Sequence, residues 1–509
     1  MIRPLNRRMI TLSIMMATIM QTLDTTIANV ALPHMQGALS ASQDQVAWVL
    51  TAYIVAAAIA TPLTGWMVDR FGQKNVFMMS VIGFTVASAL CGLSDSLAQI
   101  VAARLLQGVF GAALVPMSQM VLMDINPPEK QGSAMAVWGM GVMVGPILGP
   151  TLGGWLTDSY NWRWVFFINI PIGALATYGI WRFIRPSPAT RRMQFDPFGF
   201  ASLSLAIGAL QLLLDRGEQN DWFSSTETWI EAVAMVVTFT YFIAHTALTR
   251  ADKSFFDYRL LKNGNYVSGL LFIFIVGLVL YATRALTPTM LEDLLDYPVA
   301  TTGLVTAPSG LGTMLAMLIA GRIIGKVDLR LILFTGFSVT LVALWQMTQY
   351  SLDLSQGDII WPGVIQGIGM GLVFVPLSAA TFATLSPAMR APGTAIFSLV
   401  RNIGSSIGIS LVQTVLVRNT VSTHAALGER ITYTNPAWNN PAVASAYDLA
   451  RPSGAAALDA MITQQSSMIA YINDFRLMLY LTIAVLPLLL FLRTPRRGDA
   501  PADAHAVMD

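Results

Sequence analysis

An all-α integral membrane protein, made of two six-helix repeats with two further transmembrane helices inserted between them, is the fold class this sequence predicts, and three observations predict it. The chain of 509 residues is 54% hydrophobic and only 11% charged, against about 25% charged in an ordinary soluble domain. Its apolar runs number fourteen, most of them near the roughly 20 residues that can cross about 30 Å of hydrocarbon. The first six runs and the last six share motifs in one order, as a duplicated bundle would.

The first run, residues 10–31, follows Arg3, Arg7 and Arg8. No small-residue cleavage site ends it, so it reads as a retained helix and not as a signal peptide. Residues 48–67, 76–93, 100–123, 134–156 and 165–183 complete an N-terminal bundle over 1–184. Residues 185–264 form a linker that opens with the basic, proline-containing stretch "RPSPATRRMQFDP" and holds two more spans, 200–214 and 230–248. The former is short unless Phe195 begins it. The C-terminal bundle, 265–509, comprises residues 267–286, 304–324, 331–348, 359–382, 394–417 and 477–492. Before its last span lies an extracytoplasmic loop, 418–476, whose end from Ala455 has the pattern of an amphipathic helix. Alternating from a cytoplasmic N-terminus places most Lys and Arg residues in inner loops, as the positive-inside rule requires. Both termini are therefore expected in the cytoplasm.

Composition excludes several functions. Thirty Lys and Arg against 28 Asp and Glu leave a net charge of +2, which offers no general attraction to nucleic acid. Cys91 is the single cysteine and the four histidines are scattered, so neither a disulfide nor a metal centre is expected. No glycine-rich phosphate loop is present; "IIGKVD" lacks the hydroxyl residue and the spacing. Direct ATP hydrolysis is thus not expected, and no cofactor is implied. A polytopic lipid-modifying enzyme would need a His, Cys or paired-carboxylate cluster, which the spans lack.

The repeat is explicit. "QGVFGAALVPMS" from Gln107 in the fourth span matches "QGIGMGLVFVPLS" from Gln366 in the twelfth, and Gly145 and Gly149 match Gly404 and Gly408. "GWMVDRFG" from Gly65 has a degraded echo in "GRIIGKVD" from Gly321, where Gly325 replaces Asp69. Parallel repeats of this kind put a transporter's binding site near the midplane between the halves.

"LDTTIANVALP" from Leu23, "GWMVDRFGQK" from Gly65, "RLLQGVFGAA" from Arg104 and "GVMVGPILGPTLGG" from Gly141 resemble, in order and spacing, the signature motifs of the major facilitator superfamily. The first and last resemble in particular its fourteen-helix drug:proton antiporters. That resemblance implies the major facilitator fold and multidrug efflux by alternating access. It further implies lipophilic toxic substrates, the inner membrane of a Gram-negative bacterium, and a periplasmic adaptor with an outer-membrane channel as partners; the polar loop 418–476 is where adaptor contact is expected. It also implies that Gly65, Asp69, Arg70, Gly72 and Lys74 form a gate latch. Gly141, Gly145, Gly149 and Gly153, with Pro146, Pro150 and Gly154, would make the fifth helix an antiporter signature that seals the two halves together. The competing reading within transport is a proton-coupled symporter of a nutrient.

Asp24 and Arg104 are the central candidates. Asp24 lies about nine residues from the outer end of its helix, roughly 13 Å deep, and Arg104 enters its own helix from that side to a similar depth. A carboxylate in hydrocarbon must pair, face a cavity or carry a proton. Asp24 is expected to carry the proton, with Arg104 as its changing charge partner and Arg401 as a second coupling or anion-contacting group. Gln21, Thr25, Gln107, Met140, Gln366, Phe374, Phe397 and Asn402 are the candidate cavity residues, the methionine and aromatics because such side chains repack around varied shapes.

Overall fold

In the computed structural model the described part of each of these runs is helical apart from short turns. The structure describes residues 6–186, 195–249, 256–431 and 451–491, together with Asn440, Val443, Ala446 and Tyr447. The expected inner-loop bases Arg3, Arg191, Arg192, Arg250, Lys253, Arg493, Arg496 and Arg497 lie outside the described residues. Among the described residues, thirteen helices are long and apolar enough to span a membrane, and one bent pair brings the number to fourteen.

The first half runs α1 (Arg7–Ala38), α2 (Gln43–Ala60), α3 (Leu63–Phe71), α4 (Gln73–Leu93), α5 (Leu97–Gly111), α6 (Leu114–Ile125), α7 (Pro128–Ser159), α8 (Trp164–Phe167) and α9 (Asn169–Phe183). The second span is the bent pair α2 and α3: Pro62 has no amide hydrogen to continue the helix, and the axis turns by 57° there. The inserted hairpin is α10 (Pro197–Arg216) and α11 (Thr226–Leu248). Asp196 caps α10 by accepting the Gly199 amide at 2.9 Å, so this span starts ahead of Phe200 and reaches 20 residues. The second half runs α12 (Gly264–Thr289), α13 (Val299–Ile323), α14 (Leu329–Met347), α15 (Gln356–Ala383), α16 (Pro387–Gly428) and α17 (Pro452–Val485).

Here the structure departs from the expected loop. Helix α16 has 42 residues, about 63 Å, roughly twice the hydrocarbon thickness. Arg418 to Gly428 therefore continue the helix instead of opening the loop, and α17 is already helical from Pro452. Nothing in "NTVSTHAAL" breaks a helix, and polarity alone ends a span without ending the helix. The two extensions pack as a hairpin that His424 and Asp459 clip at 3.0 Å.

The duplication is visible in backbone contact. A methyl group on Gly145 or Gly149 would overlap Thr22 or Thr26 of α1, and one on Gly404 or Gly408 would overlap the Phe274 or Leu278 carbonyl of α12. Likewise Gly108 of α5 rests on the Tyr53 carbonyl of α2, and Gly367 of α15 on the Ser309 carbonyl of α13. Matched glycines thus bring matched helix pairs together, as small residues do in membranes where no hydrophobic drive separates helix from lipid. The inserted hairpin leans on both halves. Leu203, Ile207 and Phe242 pack with Ala58 of α2 and Leu399 of α16, the Thr51 hydroxyl donates to Asp215, and Trp222 Nε1 donates to Thr414 Oγ1 at 3.1 Å.

Candidate functional site

The described basic residues Arg70, Lys74, Arg322, Lys326, Arg330 and Arg390 collect at one end of the bundle, called here the basic end. About halfway towards the other, inside the first half, Arg104 Nη1 meets Asp24 Oδ2 at 2.7 Å, with both side chains fully buried. Gln107 Nε2 and Asn169 Nδ2 each donate to Asp24 Oδ1, also at 2.7 Å. Arg104 donates further to the Val49 carbonyl through Nε at 3.0 Å and to Gln107 Oε1 at 2.8 Å. Its guanidinium carbon stands 4.4 Å from the Tyr53 ring centroid and 5.7 Å from that of Phe166. Asn169 also donates to Ser88 Oγ at 2.9 Å, whose hydroxyl donates to the Phe166 carbonyl.

Each contact follows from local structure. Arg104 and Gln107, three apart on α5, share a face. Asp24 comes from α1, Ser88 from α4 and Asn169 from the first turn of α9. Every group pointing at Asp24 is a donor, an arrangement for the ionised acid; a proton on Oδ2 would meet Arg104 head-on. The structure therefore brings the expected pair together and adds Asn169 and Ser88. Asn169 could have been flagged as a lone amide in the apolar "FFINIPIG", although nothing in its spacing points at Asp24. Gln107, expected in a substrate cavity, is instead committed to this network. Gln21 donates to the Tyr53 hydroxyl at 3.4 Å, one step behind Arg104, and the Thr25 hydroxyl turns back to its own helix.

A narrow cavity of about 20 Å³, room for about one water molecule, lies between the halves, midway along α7, α12, α13, α15 and α16. Of the expected residues Phe374 is in its wall, stacked on Trp138 at 5.9 Å, and Met143, Met317, Met370 and Arg401 line it too. Phe397 is not: it is fully buried against Phe382, 4.9 Å between centroids. Met140 is half-buried outside the wall, and Gln366 is buried one turn or more from it. Arg401 is 8% exposed and donates only to Asn402 Oδ1, at 3.3 Å. Among the described residues no carboxylate lies within ion-pair reach of it, so its expected coupling role has no acid partner here.

The row Gly141, Gly145, Gly149 and Gly153 faces Met15, Thr22, Thr26 and Val30 of α1, in its own half, and does not face the second half. Helix α7 does touch that half, through a different face: Gly132 meets Ile324, Gly139 meets Met317, and Ile147 and Pro150 meet Gly310 and Gly303 of α13. The reason is periodicity, since residues four apart stack on one side. Gly154 has nothing within 4 Å.

At the basic end, α3 and α6 pack on α16. A methyl on Gly65 would stand 2.9 Å from the Pro392 α-carbon, Gly72 takes a left-handed φ of 80°, and Lys74 Nζ donates to the Trp181 carbonyl at 2.6 Å. Asp69 and Arg70 occupy the last turn of α3. A cross-half pair that the motif reading omitted lies beside them: Arg390 Nη1 meets Asp124 Oδ1 at 2.8 Å, and Gln73 donates to the other oxygen at 3.1 Å. Arg390→Glu would oppose two carboxylates across this seam. At partial exposure the pair is worth about 1 kcal/mol, so a cysteine at the buried Thr394 should react with a polar maleimide about fivefold faster in that variant. Restoration by Asp124→Arg in the same chain is expected; an unchanged rate in Arg390→Glu would show that the pair holds nothing shut.

The chain matches the family model described as Major Facilitator Superfamily over residues 14–409. It is 36% identical over 428 residues to "Multidrug export protein EmrB" of Escherichia coli K12, covering 84% of this chain and 83% of that one. It is 34% identical over 488 residues to "Fatty acid resistance protein FarB" of Neisseria gonorrhoeae, covering 96% of each. Among solved structures it is similar to the proton:xylose symporter XylE, with a TM-score of 0.58 at 12% identity over 94% of this chain and 96% of that one.

Proposed function

The chain belongs to the Major Facilitator Superfamily, a superfamily of transporters, and from that membership we propose that it is a multidrug efflux transporter that exports lipophilic toxic compounds in exchange for protons. Similarity to relatives named for multidrug export and fatty acid resistance supports the cargo. The observation that carries the coupling is the Asp24–Arg104 pair: an acid and a base wholly buried in one bundle, at a depth where a fixed charge must have a purpose. In the alternating-access cycle the Asp24 donors separate while the basic end is still closed, and the carboxylate takes a proton from the outer side. The basic end then opens, and as Arg104 swings back the proton is returned inside. A proton entering down about 150 mV releases roughly 3.5 kcal/mol, enough for about a few hundredfold concentration of a neutral compound.

The same reading places the basic end in the cytoplasm, by the positive-inside rule, with both termini there and the protein in the cell membrane of a bacterium. The hairpin of α16 and α17 then stands outside the bilayer on the far side. That surface is suited to a periplasmic adaptor leading to an outer-membrane channel. No bound cofactor enters this scheme.

Inverted membrane vesicles test it. An imposed inward-acid gradient should drive accumulation of a lipophilic dye, and a protonophore should collapse it. Dye leaving the vesicles on acidification would indicate a symporter, and accumulation indifferent to the protonophore would remove the coupling.

A further inference from the structure

We propose that Asp474 is a proton-binding site of the second half, held as the neutral acid where α17 enters the bundle, and that loss of its proton to the outer solution loosens α17 and the hairpin it carries. Among the described residues two acids are 1% exposed or less, and their surroundings are opposites. Asp24 receives three donors at 2.7 Å. Asp474 is fully buried, and neither of its oxygens has a hydrogen-bond partner.

Its place follows from the sequence. Asp474 precedes the last apolar run, 477–492, by three residues, on a helix that continues unbroken from the hairpin into the bundle. It shares a face with Ala470, Tyr471 and Met478, all buried. Helix α17 packs on α12, α14, α16 and the turn Met290–Leu294. Beside Asp474, Phe475 meets the ring of Tyr350 at 5.6 Å, just beyond the far end of α14. The carboxyl therefore lies near the end opposite the basic one, close to water and sealed from it.

The charged and titratable groups on those elements leave it unpaired. The turn brings Glu292 and Asp293, acids themselves, and Asp293 neighbours Tyr471. Tyr350 keeps a buried hydroxyl that has no partner either. Helix α12 brings Tyr281 and Arg284, and the latter reaches Met143 Sδ at 3.5 Å. Helix α16 brings Arg401 in the cavity wall, the exposed Arg418, and His424, which is clipped to Asp459. On α17 itself Arg476 and Tyr480 are exposed.

A buried carboxylate with neither donor nor counter-charge is strongly unfavourable, and burial of this kind favours the neutral acid. The arrangement seen here therefore holds the proton, and one in which water reaches Asp474 gives it up more readily. In that step the O–H bond breaks, its electron pair stays on the carboxylate, and the proton passes to a water of the outer solution. The closed arrangement binds one proton more than the loosened one, so acid favours it and its advantage falls as the pH rises. Since α17 is one continuous helix from Pro452, loosening at Asp474 reaches the whole hairpin.

Infrared spectra and amide hydrogen exchange of the purified full-length chain test this. At neutral pH the unaltered chain should show the carbonyl stretch of a protonated carboxyl that Asp474→Asn lacks. In acid, exchange along residues 452–474 should be equal in the two proteins. In alkali the unaltered chain should exchange faster, by up to about tenfold per pH unit, the limit for one linked proton. Comparison at equal pH cancels the chemistry of exchange itself. Asp474→Ala leaves a cavity and sets its own level, but its ratio to Asp474→Asn should not vary with pH. No lost carbonyl band, or a ratio of unaltered chain to Asp474→Asn that is the same at every pH, overturns the proposal. So does an Asp474→Asn variant that melts well below the unaltered chain in acid, the mark of an ionised and paired aspartate. Neither cargo nor gradient is present, so the result stands apart from that of the vesicle assay.

Discussion

Asp24→Asn is expected to abolish gradient-driven efflux and to lower stability by about 3 to 5 kcal/mol, the usual result of removing one member of a buried ion pair. Three donors converge on the carboxylate at 2.7 Å: Arg104, Gln107 and Asn169. An asparagine offers one acceptor oxygen and turns its own N–H groups against donors. It also leaves the Arg104 charge with only neutral acceptors. Loss of transport in the single variant is therefore ambiguous between chemistry and folding, and the double variant Asp24→Asn, Arg104→Gln separates them. With both charges gone the amides can exchange hydrogen bonds, and the thermal midpoint should recover much of the loss. Efflux should stay absent, because the proposed coupling assigns the proton to Asp24. Proton-dependent dye accumulation in vesicles containing the double variant would remove Asp24 from the coupling step.

The helices were legible because hydrocarbon imposes a length and water imposes charge on the ends; fourteen apolar runs and the basic loops needed no knowledge of packing. The repeat was legible through glycines, which stand where backbones meet in both halves. Asp24 and Arg104 could be paired by depth alone. Asn169 could not, because an amide in an apolar run has no direction until α9 is placed against α4. The glycine row on α7 was seen as a row, but which neighbour it faces depends on the rotation of α7 between α1 and α13. Asp124 and Arg390 lie 266 residues apart and only the folded seam makes them neighbours. Arg418 to Gly428 read as loop because polarity marks where a span ends, and it carries no sign of where the helix ends. Phe397 and Phe374 look alike in sequence, and side-chain direction alone puts one in the core and the other in the cavity.

Gly145→Ala is expected to uncouple the transporter as well as destabilise it, which a simple packing defect elsewhere would not do. The added methyl would overlap the backbone of Thr22, and backbone cannot step aside as a side chain can. The Thr26 hydroxyl donates to the Gly145 carbonyl at 3.1 Å, so α1 is tied to α7 at this level by contact and hydrogen bond together. Overpacking of this kind costs about 1 to 3 kcal/mol. At 100° per residue, Thr22 and Thr26 lie on the side of α1 opposite Asp24. Relief of the overlap therefore pushes α1, and with it the carboxylate, into α5 and α9, where three 2.7 Å contacts have no slack. The variant should keep its affinity for cargo, since the cavity faces the other side of α7, and should lose the proton dependence of efflux. Gly154, in the same motif with nothing within 4 Å, supplies the control: Gly154→Ala should change stability by no more than about 0.5 kcal/mol and leave coupling intact. If the two alanine variants behave alike, the link from the glycine row through α1 to Asp24 does not exist.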